Sequence, residues 1–123
     1  MRKRLTAVGA SAATLVAGLV FTASPQASAA ASDCPSGATC SWTGTNYTGT
    51  MGPVYGNNTN DQQYATWANS QSVANNGTAC EDWVFSGQRG AGSSIGIQIG
   101  YGVSNESGTW MWHHLYSNHW CNP

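Results

Sequence analysis

The stretch Trp42-Thr43-Gly44-Thr45-Asn46-Tyr47-Thr48-Gly49 decides how the rest of the chain is read. Four residues separate its two aromatics, and Gly49 follows Tyr47 after one more. Read as a hairpin, it places Trp42 and Tyr47 on a sheet face, with Gly44 and Asn46 in the turn. Gly49 then supplies a positive-φ position where the hairpin folds back over its own sheet.

An echo of this pattern follows roughly 43 residues later, which points to a duplicated supersecondary unit, since solenoids need about three or more repeats. Trp42 maps onto Phe85, Gly44 onto Gly87, Gly49 onto Gly92 and Trp67 onto Trp110. With two extra residues allowed after Trp110, Ser72 maps onto Ser117. The second copy differs from the first in having Gly90 where Tyr47 stands.

Residues 1–29 read as a secretory signal peptide. Arg2, Lys3 and Arg4 precede a mostly apolar Leu5 to Phe21, and Ala27-Ser28-Ala29 forms a small-x-small cleavage site after Pro25. The apolar run is short and broken by Thr6, Gly9, Ser11, Thr14 and Gly18, which argues against a membrane anchor. Cleavage after Ala29 is expected. It would leave residues 30–123 as one secreted, extracellular domain, monomeric and free of the membrane.

Arg89 is the only strong base in residues 30–123, against the acids Asp33, Asp61, Glu81, Asp82 and Glu106. The domain is acidic and has no lysine, so nucleic acid and anionic membrane surfaces are excluded as partners. Its four cysteines, Cys34, Cys40, Cys80 and Cys121, follow an export signal, which makes disulfides the default. Close CxxC pairs of the zinc-knuckle kind are absent. Three pairings are possible. The expected set is Cys34–Cys40, which clips the entry to the first strand, with Cys80–Cys121, which closes a loop of about 40 residues.

Strands are expected over Thr39 to Thr43, Thr48 to Tyr55 and Ser72 to Asn75, and Pro53 marks the second as an edge or bulged strand. Tyr64 to Trp67 reads as a strand or a short turn of helix. Asn76-Gly77 is a type I′ hairpin signal and a joint between the two halves. Trp83 to Phe85 reads as the next strand, followed by a glycine-rich turn from Ser86 to Gly92. In Ser94 to Tyr101 a half-buried strand would point Ile95, Ile97 and Ile99 one way. Gly100 to Gly108 reads as a loop. Trp110 to Tyr116 alternates again, with Trp110, Trp112, His114 and Tyr116 on one face, and Ser117 to Cys121 closes the sheet. No stretch has a convincing helical period, so the expected fold is all-β, an antiparallel sandwich stabilised by disulfides.

The Trp42-x4-Tyr47-x-Gly49 hairpin with Ser72, repeated once, resembles the paired Greek keys of the βγ-crystallins. The opening Cys34-Pro35-Ser36-Gly37-Ala38-Thr39-Cys40-Ser41-Trp42 and the closing Ser117-Asn118-His119-Trp120-Cys121 resemble a family of small secreted bacterial metalloproteinase inhibitors with that fold. The resemblance implies Greek keys over about 34–76 and 80–121. Trp42, Tyr47, Gly49, Ser72, Phe85, Gly92, Trp110 and Ser117 would be the fold-motif residues.

Crystallin-type calcium sites need paired Asn or Asp residues ahead of the Greek-key serine, because a hard cation wants oxygen ligands. Those positions hold Trp67 and Ala68 before Ser72, and Trp112 and His113 before Ser117. No calcium is expected. His113, His114 and His119 invite a zinc reading, but neighbours on a strand point to opposite faces, and no HExxH motif is present. The adjacent Glu81 and Asp82 would likewise point apart, whereas a glycosidase needs two carboxyls converging on one cleft. No nucleophile-elbow sequence occurs. The chain is therefore expected to be no enzyme and to carry no cofactor.

Trp42, Trp67, Trp83, Trp110, Trp112 and Trp120 are read first as core, in a domain with few Ile and Leu, and second as a sugar- or protein-binding face. Two functions follow. The first is a secreted proteinase inhibitor, of metalloproteinases by the resemblance, inserting a loop of a rigid scaffold into a secreted protease. The contact loop would be Ser86 to Gly92 or Gly102 to Gly108, with no single contact residue assigned. The second is a secreted cell-wall or carbohydrate binder, or an antimicrobial crystallin-like protein.

Overall fold

A computed structural model describes residues 31–121 of the chain. The leader expected over residues 1–29 lies outside the described residues.

Seven strands and one turn of helix make two antiparallel sheets. They are β1 (Ala38–Trp42), β2 (Met51–Val54), α1 (Ala65–Ala68), β3 (Ser72–Asn76), β4 (Asp82–Phe85), β5 (Ser94–Ile97), β6 (Gly102–Val103) and β7 (Ser117–Trp120). One sheet has the order β2-β1-β3-β6 and the other β5-β4-β7. β6 comes from the second half but pairs with β3 of the first, Val73 opposite Val103. In return, Asn58 of the first half forms a bridge to Asn118 of β7. Each half thus lends a segment to the other's sheet, and the two Greek keys interlock. Pro53 sits exposed on β2, an edge strand, where a missing N–H costs the ladder least.

Every residue of β1 is buried, because both faces of its sheet are covered. Ala38, Cys40 and Trp42 face an outer cluster with Cys34, Tyr47 and Ala74. Between the sheets lies the main core of Val54, Trp67, Val73, Val84, Ile97, Met111 and Leu115. Disulfides join Cys34 to Cys40 and Cys80 to Cys121. The second ties the entry of β4 to the end of β7 across 41 residues, a loop whose closure stabilises by about 3–4 kcal/mol in the chain-entropy account.

The hairpins between β1 and β2 and between β4 and β5 fold back and are clasped by one serine each. Ser72 Oγ accepts from the Tyr47 N–H at 3.1 Å and donates to the Gly44 carbonyl at 2.7 Å. Ser117 Oγ accepts from the Gly90 N–H at 3.0 Å and donates to the Gly87 carbonyl at 2.7 Å. Asn46 and Arg89 both take left-handed backbone at the apex, and Gly49 and Gly92 take positive φ at the exit. Gly44 has an extended φ of −121° and is needed for space instead: a Cβ there would lie 2.9 Å from the Thr48 carbonyl oxygen. Trp42 and Tyr47 meet edge to face at 5.2 Å.

Several sequence expectations change. Trp110 to Tyr116 is not a strand but a run of turns that leads into β7, with buried Met111 and Leu115 as its anchors. The alternation of residue types there does not follow burial, since only Met111 and Leu115, four residues apart, are buried. β5 ends at Ile97, so Ile99 is exposed in a turn and does not share a strand face with Ile95 and Ile97. Within Gly100 to Gly108, Gly102 and Val103 form β6. Asn76-Gly77 is no I′ hairpin, since β3 and β4 belong to different sheets and Gly77 has no positive φ.

The two-residue shift in the repeat also enters earlier than Trp110. Asp61 N–H donates to the Tyr116 carbonyl and Glu106 N–H to the Gln71 carbonyl. Those matched bonds equate Asp61 with Glu106 and Trp67 with Trp112. The extra residues therefore lie between β5 and β6. Of the six tryptophans only Trp42 and Trp67 are fully buried; Trp83, Trp110, Trp112 and Trp120 are half-buried. The core reading thus holds for two of them, the interior being filled largely by smaller aliphatic and polar side chains.

Removing the clasp hydroxyl strands a backbone N–H and a carbonyl. Ser72→Ala is expected to cost about 1–3 kcal/mol, read from the urea midpoint at constant m-value. Ser117→Ala, whose bonds are of matching length, should cost a similar amount. Unchanged midpoints in both variants would show that the clasps do not hold the hairpins.

Candidate functional site

The hairpin Ser86 to Gly92 is exposed at its apex and braced at its base. Ser86 and Ser93 exchange bonds at its base: Ser86 N–H donates to the Ser93 carbonyl, and Ser93 N–H to Ser86 Oγ, both at 2.8 Å. Arg89 N–H donates to the Thr59 carbonyl at 3.0 Å, which fixes the apex to the neighbouring Asn57 to Asn60 segment. Gln88, Arg89 and Gly90 are exposed, and Arg89 carries the only strong positive charge among the described residues.

The loss of an aromatic at Gly90 has a structural consequence. In the first half Tyr47 covers Trp42, and both are 3% exposed. In the second half Gly90 brings no side chain, and a cleft of about 370 Å³ lies there. Phe85 lines it together with Asn58, Thr59, Arg89, Asn118 and His119. Its wall is held firmly. Asn58 and Asn118 exchange both backbone bonds, and Asn58 Nδ2 donates to Asn118 Oδ1 at 2.9 Å. Asn118 Nδ2 in turn donates to the Gly56 carbonyl and to both oxygens of Asp82.

Gly102 to Gly108, the other loop singled out from sequence, is partly interior. Gly102 and Glu106 are buried, and only Asn105, Ser107 and Gly108 are exposed. Ser104 accepts the Asn46 N–H, which ties this segment to the first hairpin.

Three carboxyls are buried, of which only Asp82 stands out in the sequence, as half of the Glu81-Asp82 pair. Asp61, Asp82 and Glu106 are each 0% exposed. Burial pushes Asp61 up to about 8, aided by the nearby Asp82 charge. Burial also pushes Glu106 up to about 8, opposed by the Ser70 hydroxyl, which donates to its Oε1 at 2.8 Å. Asp82 rises to about 6 through burial, held down by the Thr39 hydroxyl, the Asn118 amide and the His119 ring. Asp61 and Glu106 occupy equivalent places in the two halves, and that pairing was the available signal once the repeat offset is set correctly.

The geometry changes the grounds on which metals were excluded. His113 and His114 lie in a turn, not on opposite faces of a strand. His113 stacks on Trp112 at 4.8 Å, and His114 Nδ1 donates to the Trp112 carbonyl at 2.6 Å. Among the described residues no three His, Cys, Asp or Glu side chains gather as a metal site. Glu81 is engaged by the Trp83 indole N–H at 2.9 Å, while its neighbour Asp82 points into the interior. The remaining fold-motif residues are placed as follows: Phe85 is buried beside the cleft and Trp110 packs half-buried against the core.

A family model described as Peptidase inhibitor family I36 matches residues 27–97. No curated protein matches the chain. A solved structure from work on the evolution of the eye lens βγ-crystallin domain fold superposes with a TM-score of 0.63 at 17% identity, covering 73% of this chain and 91% of that one. A βγ-crystallin from Ciona intestinalis superposes with a TM-score of 0.56 at 13% identity, over 69% of this chain and 100% of that one. IPSE/alpha-1 from Schistosoma mansoni eggs gives 0.56 at 17% identity, over 72% of this chain and 88% of that one. At these identities the likeness is one of fold.

The raised carboxyls set the pH dependence of stability. The folded state keeps protons on Asp61 and Glu106 up to about pH 8, whereas unfolded carboxyls release theirs at about pH 4. Between those values the folded state binds more protons, so stability falls as pH rises. Their contribution is complete below about pH 4 and gone above about pH 8. The urea midpoint is expected to be higher at pH 5 than at pH 8, and Asp61→Asn with Glu106→Gln should flatten that difference. A wild-type midpoint that rises toward pH 8 would contradict it.

Proposed function

The chain belongs to peptidase inhibitor family I36, and from that premise we propose that it is a secreted inhibitor of metalloproteinases that acts by docking the Ser86 to Gly92 hairpin. The family is one of inhibitors, so the protein is a binder of proteases and not an enzyme. The observation that carries the proposal is the family match over residues 27–97, which spans this hairpin completely. The metalloproteinase target rests on the resemblance of the opening and closing segments to secreted metalloproteinase inhibitors.

Local geometry supports the choice of loop. A protease inhibitor must offer a segment that fits a cleft yet resists cutting. The amides of Arg89 and Gly90 and the base of the hairpin are already hydrogen-bonded, so little conformational entropy remains to be lost on binding. The cleft beside Phe85 gives the protease side chain a place to enter, and Arg89 at its rim would pair with an acidic group of the enzyme. Secretion agrees with the disulfides, which form in oxidising compartments.

The test is titration of the protein against thermolysin-like zinc proteases beside a set of serine proteases. Loss of zinc-protease activity near molar equivalence is expected, with the inhibitor recovered at intact mass. Arg89→Ala should weaken inhibition by about tenfold or more without moving the urea midpoint. Inhibition confined to serine proteases would overturn the target class. Full activity of every protease at a large molar excess would overturn the function.

A further inference from the structure

We propose that the depression between Trp110 and Trp112 is a binding site for a neutral saccharide. It shares no lining residue with the Arg89 cleft and meets the inhibitory hairpin only at Ser86, at its base. The depression measures about 550 Å³ and is lined by Ser86, Ser107, Thr109, Trp110, Trp112 and His114. That volume lies in the ordinary range of small-ligand sites.

The chemistry of the lining selects the ligand. Two half-buried indoles offer flat apolar faces, the surface on which the C–H face of a pyranose ring stacks. Neither indole N–H has a hydrogen-bond partner among the described residues, so both remain available as donors. The His114 ring contributes an acceptor. Its Nδ1 contacts the Trp112 carbonyl, which can only accept, so Nδ1 carries a proton and Nε2 is the acceptor of the neutral ring. Ser107 adds an exposed hydroxyl. No Lys, Arg, Asp or Glu lines the depression, so nothing there would repay the desolvation of a charged ligand.

The aromatics are held in place before any ligand arrives. Glu106 N–H donates to the Gln71 carbonyl, and Glu106 Oε1 accepts from Ser70. Thr109 Oγ1 donates to the Glu106 carbonyl at 2.7 Å and accepts from the Met111 N–H at 3.1 Å. Met111, 4% exposed, is plugged into the core between the two tryptophans, and His113 N–H donates to the Ser70 carbonyl. Trp112 is further braced by stacking on His113. Such a platform loses little freedom on binding.

The experiment is calorimetric titration of the secreted protein with cellohexaose, chitohexaose and polygalacturonate. Saturable binding of at least one neutral hexasaccharide with a Kd of about 1 mM or tighter is expected, with weaker or no binding of the anionic polymer. Trp112→Ala should weaken binding about tenfold or more, while protease inhibition stays unchanged. Should Trp112→Ala not fold, His114→Ala is measured instead, with a several-fold loss expected. Retention on purified peptidoglycan or on chitin, competed by the soluble hexasaccharide, would identify the polymer that supplies the sugar. No binding of either neutral hexasaccharide at about 10 mM would overturn the proposal. So would preference for polygalacturonate, or undiminished binding by folded Trp112→Ala and His114→Ala.

Discussion

The structure depends on one hydroxyl in each half bridging a folded-back hairpin. Ser72 and Ser117 each accept a backbone N–H and donate to a backbone carbonyl of the turn lying over them. A hairpin bent away from its sheet would otherwise leave those groups unpaired near the interior, where each unmade bond costs about 1–3 kcal/mol. With the clasp closed, the hairpin covers the outer face of its sheet. That is why β1, a short strand with Thr39 and Ser41 in it, can be buried along its full length.

Interlocking of the halves has a cost in polarity. The exchange of β6 and the Asn58 bridge brings polar loop segments under the sheets, and Asp61 and Glu106 arrive there in equivalent positions. Each is held by its own backbone N–H to a carbonyl of the opposite half. Burial holds their carboxyls toward the neutral form, and among the described residues no cation offsets it. The Cys80–Cys121 bond closes the second half at its surface, joining the entry of β4 to the exit of β7.

Divergence between the two copies is where surface chemistry arises. Tyr47 seals the first corner against Trp42, while Gly90 leaves a cleft over Phe85 in the second. Trp67 is sealed in the core with its indole N–H on the Gly52 carbonyl, while its counterpart Trp112 stays at the surface. The first half is thus the better packed, and the second offers both the braced hairpin and the aromatic depression.

The aromatic-glycine hairpin, its echo and the two serines were legible in the sequence because they are local requirements. Positive φ selects Gly49 and Gly92, a clasp needs a small hydroxyl at Ser72 and Ser117, and an edge strand tolerates Pro53. Those requirements pointed to an antiparallel sandwich, and the resemblance to the βγ-crystallins supplied its two Greek keys. What lay beyond them depended on which segment crosses to which sheet. A period of two could not separate a strand from the turns of Trp110 to Tyr116, since the pattern of residue types does not carry the hydrogen bonding that makes a strand. The offset of the repeat could not be set from Trp110 alone, because its true partner is fixed by bonds between the halves. Nor could composition show that Asp61, Asp82 and Glu106 are interior. Burial of a carboxyl is decided by the packing of both sheets around it, and only the tertiary structure contains that.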